Sequence, residues 1–167
     1  LVAGLESSPA LKGGESVDVA ELAGQIAGRL EGYAQERGAR FELDLRDAPP
    51  VAGSRPLLSS AVECVLGNAV KYAGGVIRVS VYAERRGGRA FAVLRCSDEG
   101  PGLRRYERRA VFEPFYRGAF ALERGLPGTG VGLYLARRAA RIHGGDARIV
   151  APPGPGLCME LSFRSCP

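Results

Sequence analysis

From Val17 onward the hydrophobic and polar positions fall into readable periods. Asp18 with Glu21 three residues on forms a capping-box pattern, and Val19, Leu22, Ile26, Leu30 and Tyr33 recur at three- and four-residue spacing. An amphipathic helix ending near Arg37 and Gly38 is therefore predicted. Phe41, Leu43 and Leu45 then alternate with Glu42, Asp44 and Arg46, the period of a half-buried strand, which Ala48-Pro49-Pro50 stops. A turn and a short stretch through Val51 lead to Pro56, which suits the first turn of a helix because its missing N–H is no loss there. Leu58, Val62, Val65, Leu66 and Ala69 supply that helix with a buried stripe, and Gly74-Gly75 ends it.

Ile77, Val79, Val81 and Ala83 alternate with Arg78, Ser80, Tyr82 and Glu84, and Arg85-Arg86-Gly87-Gly88 turns the chain into a partner strand from Phe91 to Ser97. This is an antiparallel hairpin. Irregular Gly- and Arg-rich sequence follows, then a helix from about Val131 to Ile142 closed by Gly144-Gly145, and two last strands around Ala147–Val150 and Leu157–Phe163. Strands paired mostly by hairpins, with three helices to cover one face, predict an α+β fold: a two-layer sandwich rather than a doubly wound parallel sheet.

Length and composition agree with one globular domain: 167 residues, 46% hydrophobic and 25% charged. Residues 1–16, rich in Gly and Ser and carrying Pro9, read as a linker preceded by the frayed end of something earlier, and 17–167 as the domain. No apolar run approaches the ~20 residues of a membrane span, and the opening, which starts at Leu1, lacks the pattern of a signal peptide. The chain reads as a soluble portion of something longer.

Charge narrows the function classes. Lys plus Arg number 23 against 18 Asp plus Glu, a mild excess for this length. The run Arg104, Arg105, Arg108 and Arg109 has no aromatic stacking platform beside it, which argues against a nucleic-acid binder. Cys64, Cys96, Cys158 and Cys166 form no C-x-x-C pair and have no His at zinc-ligand spacing, so reduced thiols in a cytoplasmic setting are expected, the first three as small core hydrophobes.

Three segments carry candidate chemistry. Asp98-Glu99-Gly100-Pro101-Gly102 lies where a strand gives way to a loop, and Asp98 shares the parity of Ala92, Leu94 and Cys96. Its carboxylate should face the covered side of the sheet and needs a donor there, which the exocyclic amine of adenine could supply. Gly128-Thr129-Gly130-Val131-Gly132-Leu133 runs into a helix, where exposed N–H groups and the dipole favour an anion; it matches neither a Walker loop nor a Rossmann fingerprint. On the second helix, Cys64, Asn68, Lys71 and Tyr72 fall on one side; Asn68 could ligate Mg²⁺, Lys71 meet phosphate and Tyr72 lie near a base.

Taken together and in this order, the segments resemble the ATP-binding catalytic domain of sensor histidine kinases, in the superfamily that also holds gyrase, chaperone clamps and mismatch-repair ATPases. Asn68 with Lys71-Tyr72 matches that family's N box, Asp98 with Gly100 and Gly102 its first glycine box, Phe112-Glu113-Pro114-Phe115-Tyr116-Arg117 its F box, and Gly128, Gly130 and Gly132 its second glycine box. The resemblance covers nearly everything from Val17 to Phe163.

It implies the Bergerat ATP-binding fold, three helices over a mixed, mainly antiparallel sheet, with ATP and Mg²⁺ bound under a lid from about Leu103 to Pro127. Val111, Phe112, Phe115 and Tyr116 would anchor that lid, and Arg117 would reach the terminal phosphate. Asn68 would hold the metal and, with Lys71 and Arg117, serve the chemistry. Tyr72, Asp98, Gly100, Gly102 and the stretch Gly128, Thr129, Gly130, Val131, Gly132 and Leu133 would bind the nucleotide.

Two departures matter. Where many members carry an Asn or Glu one turn before the metal-binding Asn, this chain has Cys64, a poor ligand for a hard cation, and Glu63 lies about 140° round the helix from Asn68. The single His here, His143, falls at a helix end inside the ATP-binding domain, whereas the resemblance implies a phosphoacceptor His on a separate dimerisation domain, with Leu1 to Leu11 as the tail of that domain's helix. The expected partners are that domain and, through it, a response regulator. No nucleic acid and no membrane insertion are expected, the isolated domain should be a monomer, and its setting is expected to be cytoplasmic, which is compatible with a membrane-tethered parent. An ATP-gated regulatory module with little phosphotransfer is the other reading, and Cys64 is the residue that favours it.

Overall fold

The computed structural model describes residues 14–152 and 155–165. The linker expected over residues 1–16 lies outside them up to residue 13, and so does Cys166. Along the chain run β1 (Glu15–Val17), α1 (Val19–Glu36), β2 (Ala39–Leu45), β3 (Val51–Gly53), α2 (Arg55–Tyr72), β4 (Gly75–Arg86) and β5 (Arg89–Asp98). They are followed by α3 (Glu107–Ala110), α4 (Ala119–Glu123), α5 (Gly132–Ile142), β6 (Asp146–Val150) and β7 (Leu157–Arg164).

Local chemistry explains the helix boundaries. The Asp18 carboxylate accepts from the backbone N–H groups of Ala20 and Glu21 at 2.8 and 3.1 Å, capping α1 as its sequence pattern requires. Ser54 caps α2 through the N–H of Leu57, with Pro56 in the first turn. At the far end of α2 the N–H of Ala73 donates to Ala69, and the chain turns into β4.

The main sheet has the order β2-β4-β5-β7-β6. β2 and β4 are parallel because α2 carries the chain across between them, whereas β4–β5, β5–β7 and β6–β7 are antiparallel. The class is the one the sequence pattern predicts. Helices α1, α2 and α5 lie on one face, over a core in which Leu58, Leu66, Ile77, Leu94, Leu161 and Phe163 are fully buried. α2 packs between α1 and α5.

Two features go beyond the sequence reading. The stretch around Val51 is a strand, β3, and pairs antiparallel with β1 in a second, two-stranded sheet, so ordered structure begins before the boundary placed at Val17. The irregular region between β5 and α5 holds the short helices α3 and α4.

On the open face of the main sheet, Glu160 is only 1% exposed. Its carboxylate pairs with Arg86, Arg95 and Arg148 at 2.9, 2.8 and 2.7 Å. Burial pushes the Glu160 carboxyl up, but the hydrogen bonds from Arg95, Arg86 and Arg148 together hold it below the ordinary value.

Candidate functional site

One cleft of about 290 Å³ is lined by residues from all three candidate segments and from the irregular segment between β5 and α5. β5 ends in it. Strand parity turns Asp98 inward with Ala92, Leu94 and Cys96, as the sequence predicts, and leaves it 8% exposed. Burial raises the Asp98 carboxyl above its usual range, opposed by the backbone N–H groups of Gly100 and Leu157. The Gly100 bond, 2.8 Å to Oδ1, closes a tight turn that sets the carboxylate at the cleft wall beside Gly102. A half-desolvated carboxylate in this position seeks an amine or amide donor from a ligand.

α2 contributes Asn68, Lys71 and Tyr72 from its last turns. The Lys71 ammonium donates to the carbonyl of Pro127 and lies 5.2 Å from the Tyr72 ring centroid. Cys64, one turn earlier, is turned elsewhere: its Sγ lies 2.8 Å from where a Cβ on Gly132 would stand, so the thiol packs against the first turn of α5. Burial pushes its pKa up to about 11. Glu63 pairs with Arg29 of α1 at 3.6 Å and so does not take the place of the missing ligand. Of the other described cysteines, Cys96 and Cys158 are buried and free, as expected of core thiols.

Gly128, Thr129, Gly130, Gly132 and Leu133 border the cleft. Val131 is the N-cap position of α5 and is not in the cleft wall. The first N–H groups of an α-helix have no intrahelical acceptor, so this end of α5 presents donors and the positive end of a dipole. Gly130 must be glycine: its φ is +74°, and a Cβ there would stand 2.6 Å from the Tyr116 carbonyl oxygen.

The irregular segment between β5 and α5, where the lid is expected, supplies Glu107, Tyr116, Arg117 and Phe120. Val111 and Phe112 are buried anchors and Tyr116 is half-buried, but Phe115 is not an anchor. Its φ of +66° throws the ring outward, where it is 77% exposed. The Arg117 guanidinium donates to the carbonyl of Leu126, so Arg117 and Lys71 both hold the segment just before Gly128 and place positive charge by the glycine-rich loop. Phe120 meets the Tyr72 ring edge-on, centroids 6.5 Å apart, joining α4 to the end of α2.

Sequence reasoning passed over Glu107 and Phe120. A lone acid inside the run Arg104 to Arg109 was the available signal for the first. His143, the one histidine, is buried at the end of α5. Its Nε2 accepts from the N–H of Ser54 at 3.2 Å, which leaves the proton on Nδ1, 2.7 Å from the Ala139 carbonyl. With both nitrogens engaged in the core, it is no phosphoacceptor.

Residues 53–166 match the family described as histidine kinase-, DNA gyrase B- and HSP90-like ATPase. Among relatives, the signal transduction histidine-protein kinase/phosphatase MprB of Mycobacterium ulcerans is 35% identical over 159 residues, covering 92% of this chain and 30% of the relative. The sensor protein CutS of Streptomyces coelicolor is 34% identical over 150 residues, covering 88% and 35%. The chain thus spans about a third of the length of these relatives. Among solved structures, a mycobacterial sensor histidine kinase MprB superposes with a TM-score of 0.74 at 31% identity, covering 92% of this chain and 99% of that one. Full-length ShkA in complex with AMPPNP shares the fold, with a TM-score of 0.74 at 24% identity over 98% of this chain and 34% of that one. ATP is the ligand of such a domain. The chain belongs to the family of histidine kinase-, DNA gyrase B- and HSP90-like ATPases, as an ATP-binding catalytic domain of the sensor histidine kinase type.

Proposed function

We propose that the cleft holds Mg·ATP and presents its γ-phosphoryl group to a histidine on a separate dimerisation domain. The observation that carries this reading is the convergence of Asp98, the end of α2 and the glycine-rich loop on one cleft. Asp98 accepts from the exocyclic amine of adenine, beside Gly100 and Gly102, with Tyr72 near the base. The N–H groups of the stretch Gly128 to Leu133 face the phosphates, and Lys71 and Arg117 add cationic charge to them.

The residues present fit a magnesium ion held largely by its substrate. Among the described residues no group of three His, Cys, Asp or Glu side chains could enclose a metal, and the Cys64 thiol is packed on α5. Asn68 offers one amide oxygen at the cleft wall, and Mg²⁺ is commonly held by one or two protein oxygens with phosphate oxygens and water completing the shell. When bound, the ion neutralises charge on the phosphates. The protein's share is positioning: the incoming imidazole nitrogen forms its bond to the γ-phosphorus as the bond to the ADP oxygen breaks, while Lys71 and Arg117 stabilise the charge carried by the oxygens.

The partners of this reading are the histidine-bearing dimerisation domain and, through it, a response regulator. Among the described residues no helix is long and apolar enough to cross a membrane. A cytoplasmic domain of a tethered parent fits the sensor names of the relatives. The named kinases among them favour phosphotransfer over a purely regulatory module. Mixing the domain with ATP and a matched dimerisation domain tests the proposal: Asp98→Asn and Asn68→Ala should each abolish transfer, and transfer retained by both overturns it.

A further inference from the structure

We propose that Glu107 is the positioning residue of the lid, gathering Arg104, Tyr116 and Ala119 on one carboxylate so that Arg117 faces the triphosphate. The inference rests on the nucleotide reading of the cleft and assigns that site a part no motif marks. Glu107 is 3% exposed, while its neighbours Arg104, Arg105, Tyr106, Arg108 and Arg109 are exposed. A carboxylate is buried in this way only when donors replace water.

The donors are there, and they come from three places in the lid. Oε2 accepts from the backbone N–H of Arg104 at 2.9 Å, and Oε1 from the backbone N–H of Ala119 at 2.7 Å. The Tyr116 hydroxyl stands 3.5 Å from Oε1. Gly118 comes so close that a Cβ on it would lie 3.2 Å from Oε1. Burial pushes the Glu107 carboxyl up, but the bonds from Ala119 and Arg104 with the nearby Arg104 charge bring it below its usual value, so it is an anion at neutral pH.

Connectivity gives this carboxylate its purpose. Arg117 lies between Tyr116 and Ala119, both tied to Glu107, and Phe120 follows directly. The main-chain path of Arg117, one of the lid residues that line the cleft, is thus fixed at either side by one anion. Glutamine in its place keeps one acceptor but turns an amide donor toward a backbone N–H, which breaks one arm of the clasp without removing bulk.

The test measures affinities of the intact chain for AMPPNP, ADP and adenosine by calorimetry, with thermal unfolding in parallel. Glu107→Gln should weaken AMPPNP binding about tenfold, since a charged acceptor for buried N–H groups is lost, and leave adenosine within about twofold. Glu107→Asp should recover part of the loss. In an Arg117→Ala background, Glu107→Gln should change AMPPNP affinity less than about twofold, because Glu107 acts through Arg117. Tyr116→Phe, which removes only the hydroxyl, should weaken AMPPNP selectively and decides the matter if Glu107 variants do not fold. Equal losses for adenosine and AMPPNP, or additive effects of Glu107→Gln and Arg117→Ala, overturn the positioning role. A wild-type chain that binds none of the three ligands overturns the nucleotide reading instead.

Discussion

The backbone N–H of Phe115 donates to the carbonyl of Gly130 at 2.9 Å, stitching the aromatic run from Phe112 to Tyr116 to the loop that opens α5. Because a Cβ on Gly130 would meet the Tyr116 carbonyl oxygen at 2.6 Å and the Phe115 carbonyl carbon at 2.7 Å, backbone would have to move to admit it. The left-handed conformation adds a cost of about 1–2 kcal/mol for any L side chain. Gly130→Ala is expected to weaken AMPPNP binding by at least about tenfold with little change in adenosine binding, as titration calorimetry with both ligands would register.

The raised carboxyl of Asp98 predicts how binding depends on pH. Burial is the first cause of the shift, so the group takes up its proton above the ordinary aspartate value of about 3.9. As pH falls through that raised value the acceptor for an amine is lost, and ATP affinity should fall with it. Asp98→Asn should bind ATP weakly at every pH and show no such step. An affinity profile for wild type that is flat down to the ordinary aspartate range would contradict the assignment of Asp98.

Glu160 predicts acid sensitivity of the fold itself. Its native pKa lies below the unfolded value of about 4.3, so its contribution to stability is complete above that value and is lost as pH falls from there through the native value. Glu160→Gln leaves Arg86, Arg95 and Arg148 without their shared anion, but these arginines stay in contact with water, so the loss at neutral pH should be about 1–2 kcal/mol. Urea midpoints measured down the acid range should decline more steeply for wild type than for the variant.

Cys64 should be inert. With its pKa pushed up to about 11 and its sulfur against α5, about 0.1% is thiolate at pH 8, and a disulfide reagent should label it far more slowly in the native than in the urea-unfolded chain. Cys64→Ser should leave the Mg²⁺ dependence of AMPPNP binding unchanged, whereas Asn68→Ala should remove it.

The sequence was legible where one residue's environment is set by its neighbours. The parity of β5 placed Asp98, and the 3.6-residue period placed Asn68, Lys71 and Tyr72 together. It was silent where distant backbone decides. β1 and β3 are three residues each, too short for alternation to show, and they exist because they pair with one another. Phe115 looked like an anchor by composition, but its direction follows from a left-handed turn held by Gly130, fifteen residues on. Glu107 looked like one charge among arginines because the N–H that buries it belongs to Ala119.

His143 has a mechanical consequence for the cleft. Its ring fastens the C-terminal end of α5 to Ser54 at the start of α2, while the cleft lies between the opposite ends of the same two helices, at Tyr72 and Gly132. The imidazole at one end and the Cys64 thiol against Gly132 at the other thus brace α5 along α2 at both of its ends, so the donors at the head of α5 are held in a fixed place relative to Asn68 and Lys71.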